Sequence, residues 1–276
     1  MTTVKQAIEK IEPQLRDVSE SPRLDVELIL SAVIKSTREE LYAHPERKLT
    51  IRSQRQLIKL IDRRKKGEPV AYLIGHKEFW TLNLDVNSHV LIPRVETELL
   101  VEWTLNQFPK EEKIKIADLG TGSGAIALAL ASECPNWQID AADNSSKTIK
   151  VAKQNAKKNG IKNVKFYLGE WCDALPRNDY HAILGNPPYV PESDSHWPHL
   201  RFEPREALAA GGDGLAAIRE IIPEARNFLM DGGWLVLEHG DQQALAVVAL
   251  MQDAGYREVR DFPDLAGLPR MVVGKK

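Results

Sequence analysis

Apolar residues recur at helical spacing through the first 66 positions of the chain. Val26, Ile29, Leu30, Val33 and Ile34 fall at i, i+3, i+4, i+7 and i+8, the stripe of an amphipathic helix. Ser21-Pro22 just ahead of them reads as an N-cap followed by proline at the first helical position. A second helix is predicted after Thr50, with Leu57, Leu60 and Ile61 on one face. It closes in the basic run RRKK at 63–66 and then Gly67, cations at the carbonyl end with glycine just beyond. That run reads as a solvated helix end and not as a nucleic-acid patch.

The period then changes. Residues 78–91 (EFWTLNLDVNSHVL) alternate enough to predict a β-hairpin turning near Asn87-Ser88. From 114 onward strands are expected at 114–119, 138–143, 163–168, 180–185, 233–239, 256–262 and 270–274. Helices fit at about 123–132, 145–159, 214–230 and 241–254. Such alternation implies a mostly parallel sheet covered on both faces. The last two strands are joined by a loop too short for a parallel crossover, so the final strand should run antiparallel. The expected organisation is a helical N-terminal domain over 1–74, a hairpin linker over 75–92 and an α/β domain over 93–276.

Composition narrows this picture modestly. The 276 residues are 43% hydrophobic and 28% charged, ordinary for a globular protein. A net charge of −2 supplies no global basic field for nucleic acid. There is no long apolar run to span a membrane, and MTTVKQAIEK lacks the form of a signal peptide. Cys134 and Cys172 form no metal-spaced pair, so a reduced cytoplasmic protein without a resident metal is expected.

Two stretches carry chemistry. In IKIADLGTGSGAIALALA a strand ends at Asp118-Leu119, turns through Gly120, Thr121, Gly122, Ser123 and Gly124, and enters an alanine-rich helix. Glycines at such a turn admit a ligand close to the backbone. The spacing is G-x-G-x-G, not the dinucleotide G-x-G-x-x-G. The next strand ends in Asp143, placed where a carboxylate could accept both hydroxyls of a ribose. A cofactor with a ribose and no pyrophosphate fits, and S-adenosylmethionine is one. The second stretch is ILGNPPYV. Proline cannot donate to a sheet ladder, so the strand through Ala182, Ile183 and Leu184 stops at Asn186. Pro187 and Pro188 stiffen the corner that carries Asn186 and Tyr189.

DLGTGSGAIALALA, AADNS, GEWCDAL and GNPPYV together resemble a class I methyltransferase. With LIPRVETELLVE at 91–102 and RFEPREAL at 201–208, nearly the whole chain is similar to the HemK/PrmC family. Val95 stands where that family usually has proline. The resemblance implies a Rossmann-like class I methyltransferase fold, with a seven-stranded, mostly parallel sheet whose last strand is antiparallel, plus a small helical N-terminal domain for substrate recognition. It implies S-adenosylmethionine as cofactor, held by Gly120, Thr121, Gly122, Ser123, Gly124 and Asp143, with Trp171 bordering the adenine and Asn186 between cofactor and substrate. Glu170 is a further candidate near the adenine amine, and Asp118 either orients the glycine turn or lies near the cofactor's amino group.

The implied reaction is N5-methylation of the glutamine in the Gly-Gly-Gln motif of class I peptide chain release factors, by a cytoplasmic and monomeric enzyme with no membrane or direct nucleic-acid partner. Asn186, Pro187 and Tyr189 would be catalytic, and Pro188 would complete the substrate corner. The side-chain carbonyl of Asn186 and the backbone carbonyl of Pro187 can each accept an N–H of the target NH₂, while Tyr189 packs on the planar amide. The competing reading is adenine-N6 methylation of DNA or RNA, which also presents a planar amino group but needs basic surface. A cofactor-binding regulator is the non-enzymatic reading, and binding alone would not require NPPY. His196 and His199 have metal-like spacing without an evident third ligand. Glu238-His239 ends a strand at the presumed active edge and is read as supporting structure, not as a general base.

Overall fold

The computed structural model describes residues 2–276. They divide into two compact units, residues up to 76 and residues 77–276.

The first unit is helical: α1 (Val4–Ile11), α2 (Pro22–Ile34), α3 (Arg38–Ala43), α4 (Ile51–Arg64) and α5 (Val70–Ile74). Thr3 caps α1 in a reciprocal box with Gln6, and Thr50 caps α4 by accepting from the Ser53 N–H. Val26, Ile29 and Leu30 are completely buried and pack with Leu15, Leu57 and Ile61 in one core. Two sequence expectations need correction. Ser21 occupies the N-cap position of α2, but its side chain makes no capping hydrogen bond. The basic run is not a freely solvated helix end either. Arg64 turns inward to Asp25 (2.7 Å) and the Val18 carbonyl (2.8 Å), and Arg63 pairs with Glu68. Burying Asp25 requires a cation beside it, and only a tertiary contact 39 residues distant supplies one.

A hairpin follows, β1 (His76–Phe79) and β2 (Leu82–Asp85), so its turn is at Trp80-Thr81 and not at Asn87-Ser88. Trp80 adopts a left-handed φ of 54°, an uncommon state for a bulky residue. Its backbone N–H donates to Glu98 (2.7 Å) and its indole N–H to Glu133 (2.9 Å). Asn87 instead closes a second turn, accepting from the His89 N–H at 2.9 Å.

The remainder alternates: α6 (Glu98–Gln107), β3 (Lys115–Leu119), α7 (Ala125–Glu133), β4 (Gln138–Asp143), α8 (Ser146–Lys158), β5 (Val164–Leu168), β6 (Tyr180–Gly185), α9 (Trp197–Leu200), α10 (Ala216–Phe228), β7 (Leu229–Glu238), α11 (Ala244–Asp253), β8 (Arg257–Pro263) and β9 (Pro269–Lys275). The sheet has seven strands in the order β5-β4-β3-β6-β7-β9-β8. Every pairing from β5 to β7 is parallel, and β9 is antiparallel to both neighbours. Ile116, Ala182, Leu184 and Val236 face one core with α6 and α7, while Ala117, Leu119, Ile183 and Leu235 face another with α10 and α11. Both faces being buried, the strands read as apolar runs. From β3 the chain winds outward to β5, then returns to the other side of β3 at β6. The carboxyl ends of β3 and β6 therefore flank the topological switch point, where α/β sheets bind ligands.

Candidate active site

Parallel register builds the site. Ala142, Leu119, Gly185 and Leu237 form one row across β4, β3, β6 and β7. The residue after each is Asp143, Gly120, Asn186 and Glu238. Four segments far apart in sequence thus leave the sheet side by side at its carboxyl edge. A cleft of about 710 Å³ opens there, lined by Gly120, Gly122, Asp143, Glu170, Trp171, Asn186 and Pro188, among others.

The glycine turn is a rigid backbone object. Gly120, Gly122 and Gly124 have φ of 67°, 58° and 88°, all left-handed, where a side chain would be strained. The Asp118 carboxylate accepts from the Thr121 hydroxyl (2.6 Å) and the Ala127 N–H (3.2 Å). Asp118 thereby ties the turn to the start of α7. Its other oxygen is buried without a partner, and burial pushes the carboxyl up to about 7. Asp143 accepts from the Gly122 N–H (3.1 Å) and the Ser145 N–H (2.9 Å) while lining the cleft, and burial raises its pKa too.

Not every candidate meets the cleft. Gly120, Gly122, Asp143, Trp171 and Asn186 line it, whereas Thr121 and Ser123 are buried beneath it and Gly124 starts α7. Trp171, at φ 32°, also packs on the α10–α11 core, so its ring serves both. Glu170 lines the cleft and accepts from the Asn144 amide at 3.1 Å. In the proline corner, Asn186 and Pro188 line the cleft. Pro187 is buried, and Tyr189 points its hydroxyl inward to Glu238 at 3.1 Å. Burial beside the Glu238 charge raises the Tyr189 pKa.

Behind Asn186 lies a network that sequence patterns did not assemble. The Asn186 amide donates to the Thr97 hydroxyl (3.1 Å), and that hydroxyl donates to Glu238 (2.6 Å). Glu238 is 1% exposed, and burial pushes its carboxyl up to about 7. Gln243 fixes the corner from a further side, donating to the Tyr189 carbonyl at 3.0 Å. His239 is fully buried between Asp261 (2.8 Å) and the Gly240 carbonyl (2.9 Å), outside this network. His196 pairs with Asp194 at 2.7 Å. No cluster of three or more His, Cys, Asp or Glu suited to a metal occurs among the described residues. Val95 is 60% exposed and opens the short 3-10 turn Val95–Thr97.

The lining also discriminates between ligands. Asp143, Glu170, Glu206 and Glu220 set four carboxylates against one lysine, Lys147. Carboxylates accept from hydroxyl and amino groups and repel phosphates. With a strained glycine backbone and an indole ring beside them, they fit a nucleoside bearing an amino acid and not a dinucleotide.

Residues 6–75 match the PrmC N-terminal domain and residues 84–254 the methyltransferase small domain. The chain is 58% identical over 276 residues to the release factor glutamine methyltransferase of Coxiella burnetii, covering 100% of both. It is 39% identical to that of Shewanella oneidensis, over 99% of this chain and 96% of the relative. A methyltransferase structure from Pyrococcus furiosus covers 81% of this chain and 97% of its own at a TM-score of 0.54 and 16% identity, a likeness of fold alone.

Proposed function

This chain belongs to the HemK/PrmC family of release factor glutamine methyltransferases, and from that premise we propose that it methylates the N5 amide nitrogen of the Gly-Gly-Gln glutamine of class I release factors. The cofactor is S-adenosylmethionine, which supplies a methyl group on a sulfonium with a good leaving group. The observation that carries the reading is the single row of strand ends that sets Asp143, the glycine turn and Asn186 around one cleft.

An amide nitrogen is a poor nucleophile because its lone pair is delocalised into the carbonyl. The protein's task is therefore positioning. Asn186 lines the cleft with its NH₂ end committed to Thr97, which leaves its carbonyl end as an acceptor for a target N–H. The Pro187 carbonyl is the second acceptor in this reading, on a backbone whose φ is fixed by the ring. Two such acceptors fix the nitrogen and disperse positive charge as it is methylated. Asp143 would hold the ribose hydroxyls and Trp171 the adenine. The proton of the methylated amide nitrogen is acidic enough to pass to water, so no strong base is required.

A cytoplasmic setting is part of the proposal. Both cysteines are free and buried, and among the described residues no helix is long and apolar enough to cross a membrane. The acidic lining argues against a phosphate-bearing substrate.

Transfer from labelled S-adenosylmethionine to purified release factor and to duplex DNA, with mass mapping of the product, tests the function. Label on the Gly-Gly-Gln glutamine is expected, and label on adenine alone would overturn the reading. For the cofactor, Asp143→Ala is expected to weaken binding by roughly 1–3 kcal/mol, through lost charged hydrogen bonds and a loosened Gly122. Calorimetry on the folded variant measures this, and wild-type affinity would show that the ribose is held elsewhere.

A further inference from the structure

We propose that Thr97 and Glu238 are positioning residues that set which end of the Asn186 amide faces the cleft. The inference rests on the reading of Asn186 as the acceptor for the target nitrogen. It is carried by the order of donors in a buried chain. An ionised Glu238 has no hydrogen to give, so the Thr97 hydroxyl donates to it, at 2.6 Å. A hydroxyl has one hydrogen. With that committed, Thr97 can only accept from Asn186, and the 3.1 Å contact is satisfied only by the NH₂ end of the amide.

The carbonyl end is then the one left for a ligand. The reversed amide would set an oxygen against the hydroxyl's lone pairs, and would present hydrogens to a substrate NH₂ that also offers hydrogens. Thr97 is 4% exposed and Glu238 1%, so water cannot substitute for either partner.

The other oxygen of the same carboxylate accepts from Tyr189 at 3.1 Å. One group therefore fixes both the amide and the ring of the proline corner, from the strand beside it. Arg270 favours the ionised form of Glu238, and Glu96 opposes it. Glu238 lies 141 residues from Thr97 and is not among the residues that line the cleft, so it acts through its partners.

The test measures kcat, KM and cofactor Kd at about pH 8.5, where the carboxyl is ionised. Thr97→Val keeps the shape and removes the hydroxyl, Thr97→Ser restores it, and Glu238→Gln adds a donor that lets the chain run either way. Thr97→Val and Glu238→Gln are expected to lose about 10- to 100-fold in kcat, as misplaced reacting groups do. KM and cofactor Kd should stay within a few-fold, and Thr97→Ser should remain within a few-fold of wild type. In an Asn186→Ala background, Thr97→Val should cost nothing more.

Wild-type kcat in both folded variants, or a Thr97→Ser loss as large as that of Thr97→Val, would overturn the proposal. If Thr97→Val does not fold, Thr97→Ser and Glu238→Gln still decide. An active Asn186→Ala would instead remove the reading of Asn186 itself, whereas an inactive one beside an active Thr97→Val would remove only the role of Thr97 and Glu238.

Discussion

Asn186→Ala is expected to lower single-turnover methyl transfer on the order of 10²–10³-fold while cofactor affinity stays within a few-fold. That is the usual cost of losing one preorganised contact that strengthens in the transition state. The fold should survive. Thr97 keeps its donation to Glu238, and Pro187 and Pro188 still set the course of the backbone. Rapid-quench kinetics with enzyme in excess over release factor isolate the chemical step from product release. Unchanged transfer would end the assignment of Asn186. Asn186→Asp should fail as well, for a reason specific to this site. An aspartate has no hydrogen for the Thr97 hydroxyl, so two acceptors would face each other at 3.1 Å beside the buried Glu238.

What the sequence made legible was whatever depends on local period and local chemistry. The strand at 138–143 and that at 180–185 coincide with β4 and β6, because apolar runs bounded by turn residues specify buried parallel strands. The glycine turn and the proline corner were legible because Gly opens left-handed backbone and Pro fixes φ whatever surrounds them. The turn at Trp80 was not. A tryptophan at φ 54° has no turn signature and is held by Glu98 and Glu133, 18 and 53 residues away. Arg64 looked like a solvated cation for the same reason, its partner Asp25 lying in another helix. At the site, the register of four parallel strands decides which residues meet. Periodicity identifies the strands but not their spatial order, so Thr97 stood in view within LIPRVETELLVE without its partner Glu238.

Removal of residues 1–75 is expected to leave S-adenosylmethionine binding largely intact and to divide the two substrates sharply. The 77–276 unit contains the whole cleft, the sheet and both of its cores, while the helical unit closes around its own core of Leu15, Val26, Ile29 and Leu30. Yet a glutamine side chain with flanking glycines offers too little surface to select one protein among many. Discrimination must come from remote contacts that hold the target loop in register. We infer that the helical unit provides them. Its exposed Tyr42, Ile51 and Ile58 are apolar surface that its own core does not use. Methylation of intact release factor should then fall by far more than methylation of a short Gly-Gly-Gln peptide, for which no remote contact existed. Circular dichroism and cofactor titration establish first that the truncated protein is folded. Equal losses on both substrates would show that the helical unit supports the catalytic unit itself and does not select its partner.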